Sequence, residues 1–214
     1  MGEQSAHRPA PAFAAGHAPR LLAFDPSNRE GLSRKLLQSH WENNYVASVD
    51  ALNLVERKLD EAMHDVDFPP VLYAGLKREE LHRTGSIVLH DLYFGNLGGD
   101  GKSSGSIAAA LASTFGTFAN WEAEFRRTGL SLGGGSGWCV LVYNLHTRTL
   151  RNHWASDHTQ GIAAGVPLLV LDMYEHAYQI DYGAAASKYV DAFMHNVDWR
   201  EVERRYARAL ATQA

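Results

Sequence analysis

The chain has 214 residues, 45% hydrophobic and 21% charged, an ordinary globular composition with room for a sizeable core. A formal net charge of -4 excludes the positive field of a nucleic-acid or anionic-membrane binder. The single cysteine, Cys139, excludes an intrachain disulfide framework and fits a reducing, cytoplasmic setting, and no stretch reaches transmembrane length.

Residues 1–23 are rich in Ala, Pro, Gly and His with no period of 2 or 3.6, and they read as a flexible N-terminal arm. They lack the basic start and apolar core of a secretory signal. Asp25-Pro26-Ser27-Asn28 is turn chemistry that can start a helix. From Gly31 to about Met63 the apolar residues recur at helical spacing. His40, Asn44 and Ser48 follow one another at one-turn intervals there and form a polar stripe, ordinarily the wet face of an amphipathic helix. Phe68-Pro69-Pro70 breaks the chain, and a second helix is expected from about Lys77 to Leu97. His90 sits inside its apolar run Ile87–Phe94. A histidine there must be hydrogen-bonded or ligating, because burying an unpaired imidazole is costly, and the two readings are equally open.

Gly98 to Ser106 reads as a flexible hinge and the best domain boundary. It is not a phosphate loop, since it follows a helix and lacks G-x-x-x-x-G-K-[ST]. A helix from about Ser106 to Arg127 is expected next, then a hairpin of two strands, Trp138–Tyr143 and Thr149–Ala155. A third strand, Gly165–Leu171, delivers Asp172 to its end, and His176 follows four positions later. Helices around 183–197 and 200–210 close the chain. The fold class is α+β: an N-terminal α-helical hairpin domain (24–98) plus a C-terminal α/β domain (99–214) with a small three-stranded antiparallel sheet.

A carboxylate and an imidazole four apart suit iron, manganese or zinc, though the pair alone is common. With a histidine on each N-terminal helix it becomes three nitrogens and one carboxylate at a domain interface, where ligand sites concentrate. At this point the sequence resembles the iron/manganese superoxide dismutase family over residues 24–206. Asp172-Met173-Tyr174-Glu175-His176-Ala177-Tyr178 is similar to the family's D-x-W-E-H-A-Y. His40 stands at the first helical ligand in His40-Trp41-Glu42-Asn43-Asn44-Tyr45, and Leu89-His90-Asp91-Leu92-Tyr93-Phe94-Gly95-Asn96-Leu97 matches the second ligand segment. Thr114–Phe118, Gly135–Trp138 and Asn196–Trp199 fall in family order.

The resemblance implies a homodimeric or homotetrameric cytoplasmic enzyme of antioxidant defence. One iron or manganese ion per subunit would be held by His40, His90, Asp172 and His176 and would convert superoxide to dioxygen and hydrogen peroxide. Zinc cannot cycle in this way. Phe94, Trp138 and Tyr174 stand at the apolar wall, and Glu175 at the bridge to the opposite subunit's ligand. The departures are specific. The family's second histidine and gateway tyrosine are Asn44 and Ser48 here, and the aromatic after Tyr178 is Gln179. Asn44 and Gln179 occupy both ends of a cross-subunit contact and, as amides, can still bond to each other. The residue that hydrogen-bonds the metal's solvent is taken as His158, with Ser156 the choice of an ungapped spacing and Ser86 standing at the alternative location in the N-terminal domain. The arginine of the substrate funnel is replaced by Ala186. A metal-binding protein with little dismutase activity is the alternative. An oxygenase triad ranks below both, because four protein ligands leave too few open positions.

Overall fold

The computed structural model describes residues 9–103 and 105–212. Ser33 caps the first helix, its hydroxyl accepting from Leu36 N at 3.1 Å. The helix then runs as α1 (Arg34–His40), a π-helical segment (Trp41–Val46) and α2 (Ala47–Met63). The wider π turn changes which residues share a face. His40, Tyr45, Ser48, Val49 and Leu52 all point inward, and His40 is 1% and Ser48 5% exposed. The expected wet stripe is therefore an inner one at His40 and Ser48.

Helix α3 (Pro70–Gly95) starts seven residues earlier than expected, because Pro70 occupies its first turn, where proline's missing N–H costs nothing. It returns antiparallel to α2 and completes the hairpin. The helix expected from Ser106 to Arg127 is two, α4 (Gly105–Phe115) and α5 (Phe118–Leu130). Gly116 takes a left-handed φ of 85°, and Thr117 restarts the helix by accepting from Asn120 N at 3.0 Å.

Strands β1 (Trp138–Asn144), β2 (Thr149–Ala155) and β3 (Gly165–Asp172) form one antiparallel sheet in the order β2-β1-β3. The outer edge of β3 is covered: Asn96 Oδ1 accepts from Val170 N at 2.8 Å, and the buried Arg205 donates to Leu168 O at 3.0 Å. Arg205 also donates to Leu92 O at 3.1 Å and to Glu201 Oε1 at 2.8 Å, so it ties α8 (Trp199–Ala211) to α3 and the sheet. Between them lie a 3-10 turn (Glu175–Ala177), the short α6 (Gln179–Tyr182) and α7 (Ala186–His195).

Two stretches without periodicity carry more structure than their composition suggests. Residues 10–20 lie along α2 and α3: Ala10 N and Ala15 N donate to Asp60 Oδ1 and Glu56 Oε2 at 3.1 and 2.8 Å. Arg20 N donates to Tyr45 Oη at 2.7 Å. The backbone itself makes these bonds, which no side-chain pattern announces. Residues 1–8 of the expected arm lie outside the described residues. In the glycine-rich 98–101 stretch, Gly99 N and Gly101 N both donate at 3.1 Å, to Asn196 O and Val197 O. A Cβ at Gly99 would meet Val197 O at 2.2 Å. These glycines serve close backbone approach.

Candidate metal centre

The sheet brings three parts of the site to one end. Trp138, the first residue of β1, pairs with Asp172, the last of β3, and with Ala155, the last of β2. The chain leaves β2 there and reaches His158 three residues on. The helical hairpin supplies His40 and His90 from the opposite side.

Asp172 is fully buried. Its Oδ1 accepts from Tyr174 N at 2.8 Å, and its backbone carbonyl accepts from Tyr189 Oη at 2.8 Å. The carboxylate is thereby held with Oδ2 facing three imidazoles: His40 Nε2 at 3.1 Å, His176 Nε2 at 3.2 Å and His90 Nε2 at 3.6 Å. One ligand atom from each of the four residues lies within 4.8 Å of the others. Donors bound at roughly 2.1 Å to one ion stand about 3 to 4 Å apart.

Hydrogen bonding identifies the lone pairs. His90 Nδ1 donates to Ser86 O at 2.8 Å, which leaves Nε2 deprotonated and free to ligate. Among the described residues, His90 Nε2 and both ring nitrogens of His40 are buried without a hydrogen-bond partner. His40 Nε2 is close to Asp172 but badly directed for a hydrogen bond. Buried, unpartnered nitrogens converging on one carboxylate oxygen are costly unless something fills the gap between them, and a divalent or trivalent cation fits.

The electrostatics agree. Burial would raise the Asp172 pKa, but His176 and His40 outweigh it and hold the carboxyl well below its ordinary range. Burial, then the neighbouring His40, pushes His90 down to about 3. Burial also lowers His40, against the pull of Asp172. These imidazoles stay neutral in the folded chain while unfolded ones take up protons below about 6.5. Their contribution to stability is complete above that value and is lost as the pH falls toward the folded values. A metal that needs neutral imidazole leaves over the same range. Metal content and thermal midpoint should both fall steadily between about pH 6.5 and 4, as followed by dialysis with metal analysis and by calorimetry. A flat profile through that window would contradict the assignment.

Aromatic and polar side chains surround the four donors. Phe94 lies 4.9 Å from His40 between ring centroids, Trp138 5.1 Å from His90, and Tyr174 stacks on His176 at 5.3 Å. His158 stacks on Tyr174 at 4.8 Å and accepts from Trp138 Nε1 at its Nδ1, at 2.9 Å. Burial, then His82, lowers its pKa to about 4. The Ser156 hydroxyl donates instead to Gln160 Oε1 at 3.3 Å, as does its amide at 2.8 Å, and its carbonyl accepts from Ser136. A cavity of about 250 Å³ opens over the site, lined among others by Asn44, Ser48, Ser86, His158 and His176. Ser48 Oγ and Ser86 Oγ are 2.9 Å apart, and Ser86 Oγ is 3.3 Å from His90 Nδ1. Glu175 and Gln179 are exposed. Ala186 is buried, 3.3 Å from where a Cβ on Gly133 would sit. Sequence pattern alone does not single out His82, Arg83 or Gly85, although the spacing of Arg83, Ser86 and His90 on one helix face was there to be read.

Three imidazole nitrogens and a carboxylate, brought together between a helical hairpin and the end of a small sheet, form a group that could hold one metal ion. The family model described as iron/manganese superoxide dismutases, C-terminal domain, matches residues 103–205. An iron superoxide dismutase of Cupriavidus metallidurans is 47% identical over 190 residues, covering 88% of this chain and 95% of its own length. Iron superoxide dismutase of Methanothermobacter thermautotrophicus is 38% identical, covering 82% and 86%. A manganese superoxide dismutase of Halobacterium salinarum is 35% identical, covering 83% and 88%. The chain belongs to the iron/manganese superoxide dismutase family.

Proposed function

We propose that the protein is a superoxide dismutase using one iron or manganese ion per subunit, held by His40, His90, Asp172 and His176. The observation that carries this reading is the convergence of buried, unpartnered imidazole nitrogens on Asp172 Oδ2. A metal held there would supply one-electron chemistry, through which one superoxide would give up an electron as dioxygen and a second would take up that electron and two protons as hydrogen peroxide. The chain's own residues do the rest. Tyr174 N and Tyr189 fix the carboxylate, and Ser86 O fixes the His90 tautomer. Phe94, Trp138 and Tyr174 keep bulk water from the donors. Trp138 holds the His158 ring by Nδ1, so Nε2–H is the proton His158 can present to the cavity. Ser48 and Ser86 offer a pair of hydroxyls there, in place of the aromatic gateway.

The enzyme is proposed to be a cytoplasmic homodimer. Glu175 and Gln179 are exposed in the single chain and Asn44 lines the cavity, which supports the reading by leaving both amides open to a second subunit. No helix among the described residues is long and apolar enough to cross a membrane.

The replacements at Asn44 and Ser48 favour one other reading, a metal-binding protein of low activity. A single preparation separates the two. Iron- and manganese-loaded protein should dismute superoxide well above free metal, zinc-loaded protein should not, and light scattering should give the mass of two chains. Tight metal binding without turnover would select the second reading.

A further inference from the structure

We propose that Arg83 is the cationic guide that draws the superoxide anion into the cavity over the metal site. This rests on the dismutase reading, since it concerns the same cavity. Arg83 lies on α3, three residues before Ser86 and seven before His90, so the three share one helical face from rim to floor. The gradient of exposure follows: the Arg83 side chain is 33% exposed, whereas Ser86 and His90 are each 1%.

The cavity wall is otherwise Asn43, Asn44, Ala47, Ser48 and Ser86 from the hairpin, and His90, His158, Tyr174 and His176 around the donors. Among the described residues, no carboxylate and no second permanent cation lines it. Arg83 Nε donates to Glu79 Oε2 at 3.1 Å, one turn back along α3. Its two terminal amines make no hydrogen bond among the described residues. The guanidinium is thus tethered through Nε with its remaining donors uncommitted.

A chain of net charge -4 repels a small anion at long range. At salt concentrations where the Debye length is about 8 Å, that distant repulsion is screened, and the charge nearest the opening governs capture. One fixed cation at the rim of a narrow cleft focuses the field there. Glu79 opposes this by partly neutralising it.

The test uses purified iron-loaded protein: wild type, Arg83→Gln, Arg83→Lys and Glu79→Gln, with equal metal content confirmed. Two quantities are read. One is kcat/KM for superoxide against ionic strength. The other is the affinity for azide as a probe anion, titrated by the metal's visible absorption. Arg83→Gln should lower kcat/KM about three- to tenfold at low salt, flatten its salt dependence, and weaken azide by a similar factor. Arg83→Lys should keep most of both, and Glu79→Gln should strengthen both. An Arg83→Gln protein with wild-type salt slope and azide affinity overturns the proposal, as would a Glu79→Gln protein that binds azide more weakly. Were the wild type to lack turnover, the dismutase reading would fail alone, because the azide comparison still decides the role of Arg83.

Discussion

Replacing Asp172 with Asn should leave a folded protein that retains almost no iron or manganese and has lost its dismutase activity. The two atoms of this carboxylate do different work. Oδ1 accepts from Tyr174 N at 2.8 Å, and the amide oxygen of Asn can keep that bond. Oδ2 faces all three imidazoles, and there the substitution puts a neutral amide where the only anion among the four donors stood. Outer-shell partners of a metal typically cost 10- to 100-fold in affinity, so loss of the sole anionic donor should exceed about 100-fold. Apo stability need not fall, because removing a buried charge also removes its desolvation cost. Asp172→Ala adds a cavity and strands Tyr174 N, so it should lose about 1–3 kcal/mol as well as the metal. Metal analysis after dialysis, with calorimetry on the same sample, reads both effects. An Asp172→Asn protein that holds iron as wild type does would remove this residue from the centre.

The two kinds of information in this sequence behaved differently. Asp172 at the end of an apolar strand and His90 within an apolar helix were legible, because hydrophobic pattern reports burial and a buried titratable group demands a partner. His40 was not settled by pattern. A polar stripe of His40, Asn44 and Ser48 reads as a wet face, yet His40 shares the buried side of α1 with Leu36 and Leu37, and beyond the π segment at Trp41–Val46 Ser48 is buried beside Val49 and Leu52. Nothing in composition announces the extra residue in that turn. The break at Gly116 and the docking of residues 10–20 escaped for a related reason. Both rest on backbone conformation and backbone hydrogen bonds, which the side-chain period does not encode. His158 and Ser156 differ as candidates only by the loop length assumed, which hydrophobic pattern does not report. Trp138 is fixed opposite both Ala155 and Asp172, and its indole reaches His158 while Ser156 bonds elsewhere.

Gly85→Ala should cut activity by about 100-fold while leaving the four donors in place. The substitution is favourable to a helix in isolation, by about 1 kcal/mol. Here, however, the new Cβ would lie 2.1 Å from His158 O and 2.9 Å from its carbonyl carbon. The missing side chain of Gly85 is what lets the loop after β2 rest on α3. With Ala there, the loop must lift by roughly the 1 Å needed to restore contact, and His158 moves with it away from Trp138 Nε1, now 2.9 Å distant. A group that holds a proton for transfer is worth about 100- to 10,000-fold when correctly placed, so the displacement should approach the effect of His158→Ala. Metal content should stay at the wild-type level in both variants, which separates a misplaced proton donor from a damaged centre. If Gly85→Ala keeps full turnover while His158→Ala does not, the loop yields without moving the ring. If both remain fully active, His158 is part of the wall and the proton comes by way of Ser48 and Ser86, whose hydroxyls stand 2.9 Å apart on the other side of the cavity.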